Sequence, residues 1–154
     1  MSLPERYRGR VEEVLGTSLE GSRPLSGGCV GEVYGATAGG GEFVVKVEAP
    51  ATDLLAIEGR MLRHLARSSP LPAPDPVHFE PGLLVMPRIE GDHHFDDDVE
   101  RHAADLLAAL HDQPAPHFGF EYDTVIGGLH QPNPRYTRWA DFFADARLRE
   151  MAGQ

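Results

Sequence analysis

The stretch SGGCVGEVYGATAGGGEFVVKVEA, Ser26 to Ala49, contains the only cysteine of the chain, Cys29, and its only lysine, Lys46. The other residues of fixed positive charge are all arginine. Codon bias or an acidic, salt-adapted proteome accounts for scarce lysine, but not for where the one lysine stands. Glycines break the stretch into short runs. Gly39, Gly40 and Gly41 separate GEVYGATA from EFVVKVE, the pattern of two strands joined by a tight hairpin, and a similar run begins at Leu19. Residues 19–48 therefore predict three antiparallel strands, with a glycine-rich loop before the second. Along EFVVKVE the side chains alternate, so Phe43, Val45 and Val47 face one way while Val44, Lys46 and Glu48 face the other.

Outward from this centre, Ser2 and Glu5 have the spacing of a capping box, and Leu3, Tyr7, Val11, Val14 and Leu15 follow with helical period, which predicts a helix over 2–16. Asp53 to Ala66 reads as a second helix. SSPLPAPDP is an extended connection, and VHFE and LLVMPRI are short strands separated by Pro81 and Gly82. After EGDHHFDDD, Val99, Ala103, Leu106, Leu107 and Leu110 mark another helix that ends before Pro114. The segment GFEYDTVIGGLHQPNPRY reads as a loop, and a last helix carries Trp139, Phe142, Phe143 and Leu148, its three aromatic residues at a helical spacing that points to core. The predicted class is α+β: a five-stranded antiparallel sheet with one inserted helix, preceded by an N-terminal helix and followed by further helices. Residues 1–90 form the first lobe in this reading, and 91–154 a hinge or linker with the start of a second.

Composition narrows the function. At 154 residues, 41% of them apolar, the chain suits one globular domain or two small lobes. No run approaches the ~18 apolar residues of a membrane span, and MSLPERYRGR lacks the apolar core of a signal peptide, so a soluble cytoplasmic protein is expected. A net charge of −10 and no clustered basic tract argue against nucleic acid or an anionic membrane as partner. A lone cysteine forms no internal disulfide.

Gly28, Gly31 and Val33 fit the tail of a GxGxxGxV loop, whose backbone amides approach nucleotide phosphates without side-chain obstruction. A dinucleotide fold needs a helix directly after the glycines and a Walker loop needs GK followed by Ser or Thr; a strand follows instead. A plain glycine-rich turn is the competing reading of the loop alone. Glu58 falls in the middle of the apolar stripe of Leu54, Leu55, Met61, Leu62 and Leu65, where a carboxylate is costly to bury unpaired. Lys46 on the neighbouring strand is the expected partner, and a compact ammonium suits a phosphate-facing role that a branched guanidinium does not. Met86 to Glu90, where LLVMPRIEG leaves its strand, are candidates for a hinge whose backbone meets an adenine. An ordinary strand end is the alternative. EGDHHFDDD is better explained as a charged linker and helix N-cap than as a metal site, so no metal-ligating residues are predicted. His111, in a last helical turn, compensates the helix dipole. Cys29, among loop amides close to a lysine, is placed for a lowered thiol pKa and oxidation, with a small residue of no redox role as the alternative.

These residues resemble the fructosamine or ketosamine kinases, relatives of aminoglycoside and choline kinases with a protein-kinase-like fold. The likeness rests on GGC at Gly27 to Cys29, FVVKV around Lys46, IEGRMLRHL with Glu58, LLVM, LLAALH ending at His111, FGF from Phe118, and GGLHQPNPRYTRWADFFADARL. It spans about Leu25 to Leu148. The resemblance implies ATP-dependent phosphorylation of a sugar hydroxyl on a glycated amine, with Mg²⁺ bridging the phosphates. It implies nucleotide-side roles for Gly27, Gly28, Gly31, Lys46 and Glu58, beside which Met86 and Arg88 of the hinge reading stand as further cofactor-binding candidates, and acceptor-side or loop-structuring roles for Gln131 and Asn133. It also implies redox control through an intermolecular disulfide, and so a homodimer through Cys29. Two departures stand out. Gly31 replaces a small polar residue usual in the family, and no His-Gly-Asp motif, the seat of the family's catalytic aspartate, occurs in the sequence. No catalytic residue is therefore expected among these 154 residues. The family's aspartate is expected beyond Gln154, and the chain alone is expected to be inactive. An aminoglycoside- or choline-kinase-like phosphotransferase, and a non-catalytic nucleotide-binding or redox-responsive interaction module, are the competing functions.

Overall fold

In the computed structural model, which describes residues 2–26, 31–92 and 94–153, the strands around Lys46 lie at the centre of one sheet. β1 (Leu19–Pro24), β2 (Glu32–Ala38) and β3 (Gly41–Val47) form an antiparallel meander, and β4 (His78–Glu80) and β5 (Leu83–Pro87) complete the sheet in the order β1-β2-β3-β5-β4. All its pairings are antiparallel. The α+β class and the five-stranded antiparallel sheet expected from the sequence are both present. Between β3 and β4 the chain passes through α2 (Leu54–Ser68), which packs on β4 and β5.

Alternation along β3 divides the sheet into two unlike faces. Val45 and Val47 join Tyr34, Ala36 and Ala38 of β2 and Leu83 and Val85 of β5 in the main core, which α1 (Glu5–Leu15) closes with Val11. Burying each of these larger side chains contributes about 1.5–3 kcal/mol. Polar contacts fix the seat of α1: Tyr7 donates to the Glu48 carbonyl at 2.9 Å, Arg8 to the Leu19 carbonyl at 2.8 Å, and the Glu12 carboxylate accepts from the Leu19 amide at 2.9 Å. The opposite face holds Lys46 and its cross-strand neighbour Leu84, with Val44 opposite Met86. α2 covers only one end of this second face. Leu84 is fully buried, as is Leu55 of the helix, while Val33, Val44 and Met86 stay half-buried.

Five expectations require correction. The first helix starts at Glu5 with Pro4 as its N-cap and ends at Leu15, short of the predicted 2–16; no side chain caps it, and Ser2 instead lies outside the helix. Proline, with no N–H to satisfy and φ already near helical, suits that entry better than a capping box. Val77 lies outside β4. The segment predicted as a loop contains a hairpin, β6 (Thr124–Ile126) and β7 (Leu129–Gln131), turning at Gly127 and Gly128. The last helix is not continuous: α4 (Trp139–Phe143) runs into a π-helical stretch over Ala144–Arg149 before α5 (Glu150–Ala152). Nor are its aromatics all core. Phe142 is buried at 6% exposure, against Tyr136 and Arg147, whereas Trp139 is 54% and Phe143 41% exposed, stacked on one another at 5.4 Å. Phe142 takes the inward side of this short helix, while Trp139 meets Phe118 at 5.8 Å and stays half exposed.

The helix read over Val99 to Leu110 is α3 (Asp97–His111). Its N-cap is Asp96, whose carboxylate accepts from the Asp98 and Val99 amides at 3.1 and 2.9 Å, the role foreseen for the acidic segment. Among the described residues no helix is long and apolar enough to cross a membrane.

Candidate nucleotide site

Lys46 rises from the half-covered face of β3 and meets Glu58 on α2, Nζ to Oε1, at 2.5 Å. The lysine side chain is 19% exposed and the glutamate 29%, so the pair sits at the edge of the covered area rather than inside it. Glu48 shares the face by alternation but gives its carboxylate to the Thr52 hydroxyl, leaving Glu58 as the partner of the lysine. An ammonium has three donors, and one contact to Glu58 leaves two for an anionic ligand.

Half-buried apolar groups lie beside it. Val33 stands opposite Lys46 on β2, and Val44 opposite Met86 on β5, so all four side chains project from the same face. Leu25 packs over Gly35, 3.5 Å from the point a Cβ would occupy there. Gly31 enters β2 with φ +69, and a Cβ on it would stand 2.5 Å from the Val47 carbonyl oxygen. Backbone conformation and close approach both require glycine there. Of the other loop residues predicted to touch phosphate, Gly27 and Gly28 lie outside the described residues, as does Cys29. Gln154, beyond which the sequence reading placed the family's catalytic aspartate, also lies outside the described residues.

Arg88 is not brought near Lys46. Its guanidinium pairs with Glu42 at 2.9 Å and its backbone amide donates to the Glu42 carbonyl at 3.0 Å, on the order of 13 Å along β3 from the lysine. Gln131 and Asn133 lie in the C-terminal part, at the end of β7 and just after it. Gln131 ends β7 opposite Thr124. Asn133 is buried at 5% exposure, and its polar groups are all engaged: the amide donates to Asp123, Nδ2 donates to the Tyr122 carbonyl and the Thr124 hydroxyl, and Oδ1 accepts from Arg147 at 2.6 Å.

Sequence reasoning missed three features. Gly59 lies against Phe79, so closely that a Cβ added there would collide with the ring and with Phe79 Cβ. Phe120 and Tyr122 reach α2 from the other side, at His64 and Arg60. The i, i+4 spacing of Arg60 and His64 marks a helix face that needs a partner, and the TVI-GG-LHQ pattern marks the hairpin beyond it. Two cavities, of about 400 and 520 Å³, open beside that face of α2, and neither includes Lys46.

The fructosamine kinase family model matches residues 7–152. The chain belongs to the fructosamine kinase family. It is 31% identical, over 139 residues, to a protein assigned as a probable ketoamine kinase in Synechocystis, covering 84% of this chain and 46% of that one. A solved structure from Thermobifida fusca, assigned as a fructosamine-3-kinase, superposes with a TM-score of 0.78 at 27% identity, over 91% of this chain and 50% of the other. One from Haemophilus somnus gives 0.77 at 21% identity, with coverage of 91% and 50%, a likeness of fold. The chain thus spans about half the length of the relatives it matches.

Proposed function

We propose that this chain forms the ATP-binding half of a phosphotransferase of the fructosamine (ketosamine) kinase type, one that phosphorylates a sugar hydroxyl on a glycated amine. The observation behind the reading is the Lys46–Glu58 contact at 2.5 Å beside a half-open apolar sheet face. In this reading Val33, Val44 and Met86 receive the flat apolar base, and amides of the loop at Gly27, Gly28 and Gly31 approach the phosphates. Lys46 neutralises phosphate charge while Glu58 holds its direction. Arg88 acts only indirectly, by tying the end of β5 to Glu42.

Among the described residues no group of three or more His, Cys, Asp or Glu side chains is gathered closely enough to hold a metal ion. Mg²⁺ enters this reading with the nucleotide, as Mg-ATP. In this reading the part played by the residues present is to bind and orient the nucleotide.

Titration with Mg-ATP, followed by calorimetry and thermal shift, tests the proposal on wild type and Lys46→Met. Wild type is expected to bind, with affinity at least about tenfold weaker in the variant. Absence of any binding by wild type overturns it.

A further inference from the structure

α2 is held from two sides. On one, Gly59 abuts Phe79 of β4. On the other, the Arg60 guanidinium lies 4.9 Å from the centre of the Tyr122 ring, His64 meets Phe120 edge-on at 4.7 Å, and Phe120 and Tyr122 meet each other at 4.8 Å. The segment bearing these aromatics is itself anchored. Asn133 binds the Tyr122 carbonyl and the Asp123 side chain, and Arg147 of the π-helical stretch holds Asn133.

The Tyr122 hydroxyl is buried without a hydrogen-bond partner among the described residues. Burial also pushes its pKa up. A buried donor left unpaired costs roughly 1–3 kcal/mol, so the hydroxyl is not what recommends tyrosine here. The ring is: it lies under the Arg60 guanidinium and meets Phe120 in a T-shaped contact. Glu58 lies in the same helical turn as Arg60, and packed helices shift as rigid units, so a displacement that releases Tyr122 carries Glu58 with it.

We infer that Tyr122, together with Phe120, is a positioning residue of the nucleotide site, holding α2 through Arg60 and His64 so that Glu58 meets Lys46. Its consequence for binding rests on the proposed nucleotide role; the mechanical link to Lys46 does not.

The single lysine makes both parts measurable. Protein carrying carbon-13 at lysine Cε gives one side-chain signal, that of Lys46. Tyr122→Ala is expected to move this signal toward the position it takes in Glu58→Gln, while Tyr122→Phe, which keeps the ring, leaves it at the wild-type position. In parallel, Tyr122→Ala is expected to weaken Mg-ATP binding about fivefold to tenfold and adenosine binding less than about twofold, because Lys46 meets phosphate and not base. A folded Tyr122→Ala protein with an unmoved lysine signal overturns the inference, as does an equal loss for adenosine and Mg-ATP. Should Tyr122→Ala fail to fold, Tyr122→Leu and Arg60→Ala are read by the same two measurements. If wild type binds no Mg-ATP, the proposed function falls while the lysine signal still decides the positioning role.

Discussion

Lys46 Nζ and Glu58 Oε1 are 2.5 Å apart on two different elements, a strand and the helix that half covers it, and both side chains keep some access to water. Exposed pairs are worth about 0–1 kcal/mol, and only dry ones exact a large penalty when broken. This pair lies nearer the first case. Its value is geometric: it fixes where the one ammonium points.

Glu58→Gln separates those two contributions. The variant keeps size and hydrogen-bonding capacity and loses the charge. Its unfolding free energy is expected to fall by no more than about 1 kcal/mol in a denaturant titration, while Mg-ATP affinity falls about fivefold or more. Loss of stability without loss of affinity would make the pair a structural bridge only.

Gly59→Ala runs against helix propensity. On an open helix face the change stabilises by about 1 kcal/mol. Here the added methyl runs into Phe79 Cβ, an atom fixed to the β4 backbone that cannot swing aside. Overpacking of this kind costs about 1–3 kcal/mol, which lowers Tm by roughly 2–8 °C in a chain of this size. Calorimetric melting that shows a raised Tm would contradict the packing described for α2 and β4.

How much of this was legible in the sequence depends on whether the signal was local. The period-two pattern of EFVVKVE predicted that Val45 and Val47 share one face of β3 and Lys46 the other, because alternation is a property of the strand alone. A carboxylate inside an apolar stripe predicted that Glu58 needs a cation. By contrast, the sheet-edge order β3-β5-β4, the depth of Gly59 against Phe79 and the reach of Tyr122 to Arg60 join residues far apart in sequence, and no spacing within either segment encodes them. Gly127 and Gly128 were a readable hairpin turn hidden by the Pro and Asn residues around them. Arg147 of the π-helical stretch reaches back to Pro132 and Asn133, a contact invisible in a helical repeat.

Acid weakens the seat of α1 in a predictable window. Arg10 grips Glu80 with two hydrogen bonds, at 3.0 and 2.8 Å, and these hold the Glu80 carboxyl down at about 2 from its ordinary 4.5, against the opposing effect of burial. A carboxyl depressed in the folded state stabilises it fully above its unfolded pKa, and that contribution is lost as pH falls toward the folded value. The stability difference between wild type and Glu80→Gln is therefore expected to be about 1 kcal/mol near pH 6, after allowance for solvent screening, and to shrink from about pH 4.5 toward pH 2. Urea titrations across that range measure it; a difference that grows on acidification would refute the assignment.

Gln131 and Asn133 arrive together in the sequence yet differ in what they do. Asn133 Nδ2 and Oδ1 hold Tyr122, Thr124 and Arg147 together in a buried position. Removing the amide strands several polar groups at once, and truncation at a satisfied buried network costs roughly 2–4 kcal/mol. Gln131 contributes its backbone to β7, pairing with Thr124, and its side chain is not part of that network. Asn133→Ala is thus expected to lower Tm by several degrees and to loosen the hairpin, seen as faster amide exchange at residues 122–131. Gln131→Ala should leave both within about 0.5 kcal/mol of wild type, and a loss of stability as large as that of Asn133→Ala would contradict this division of roles.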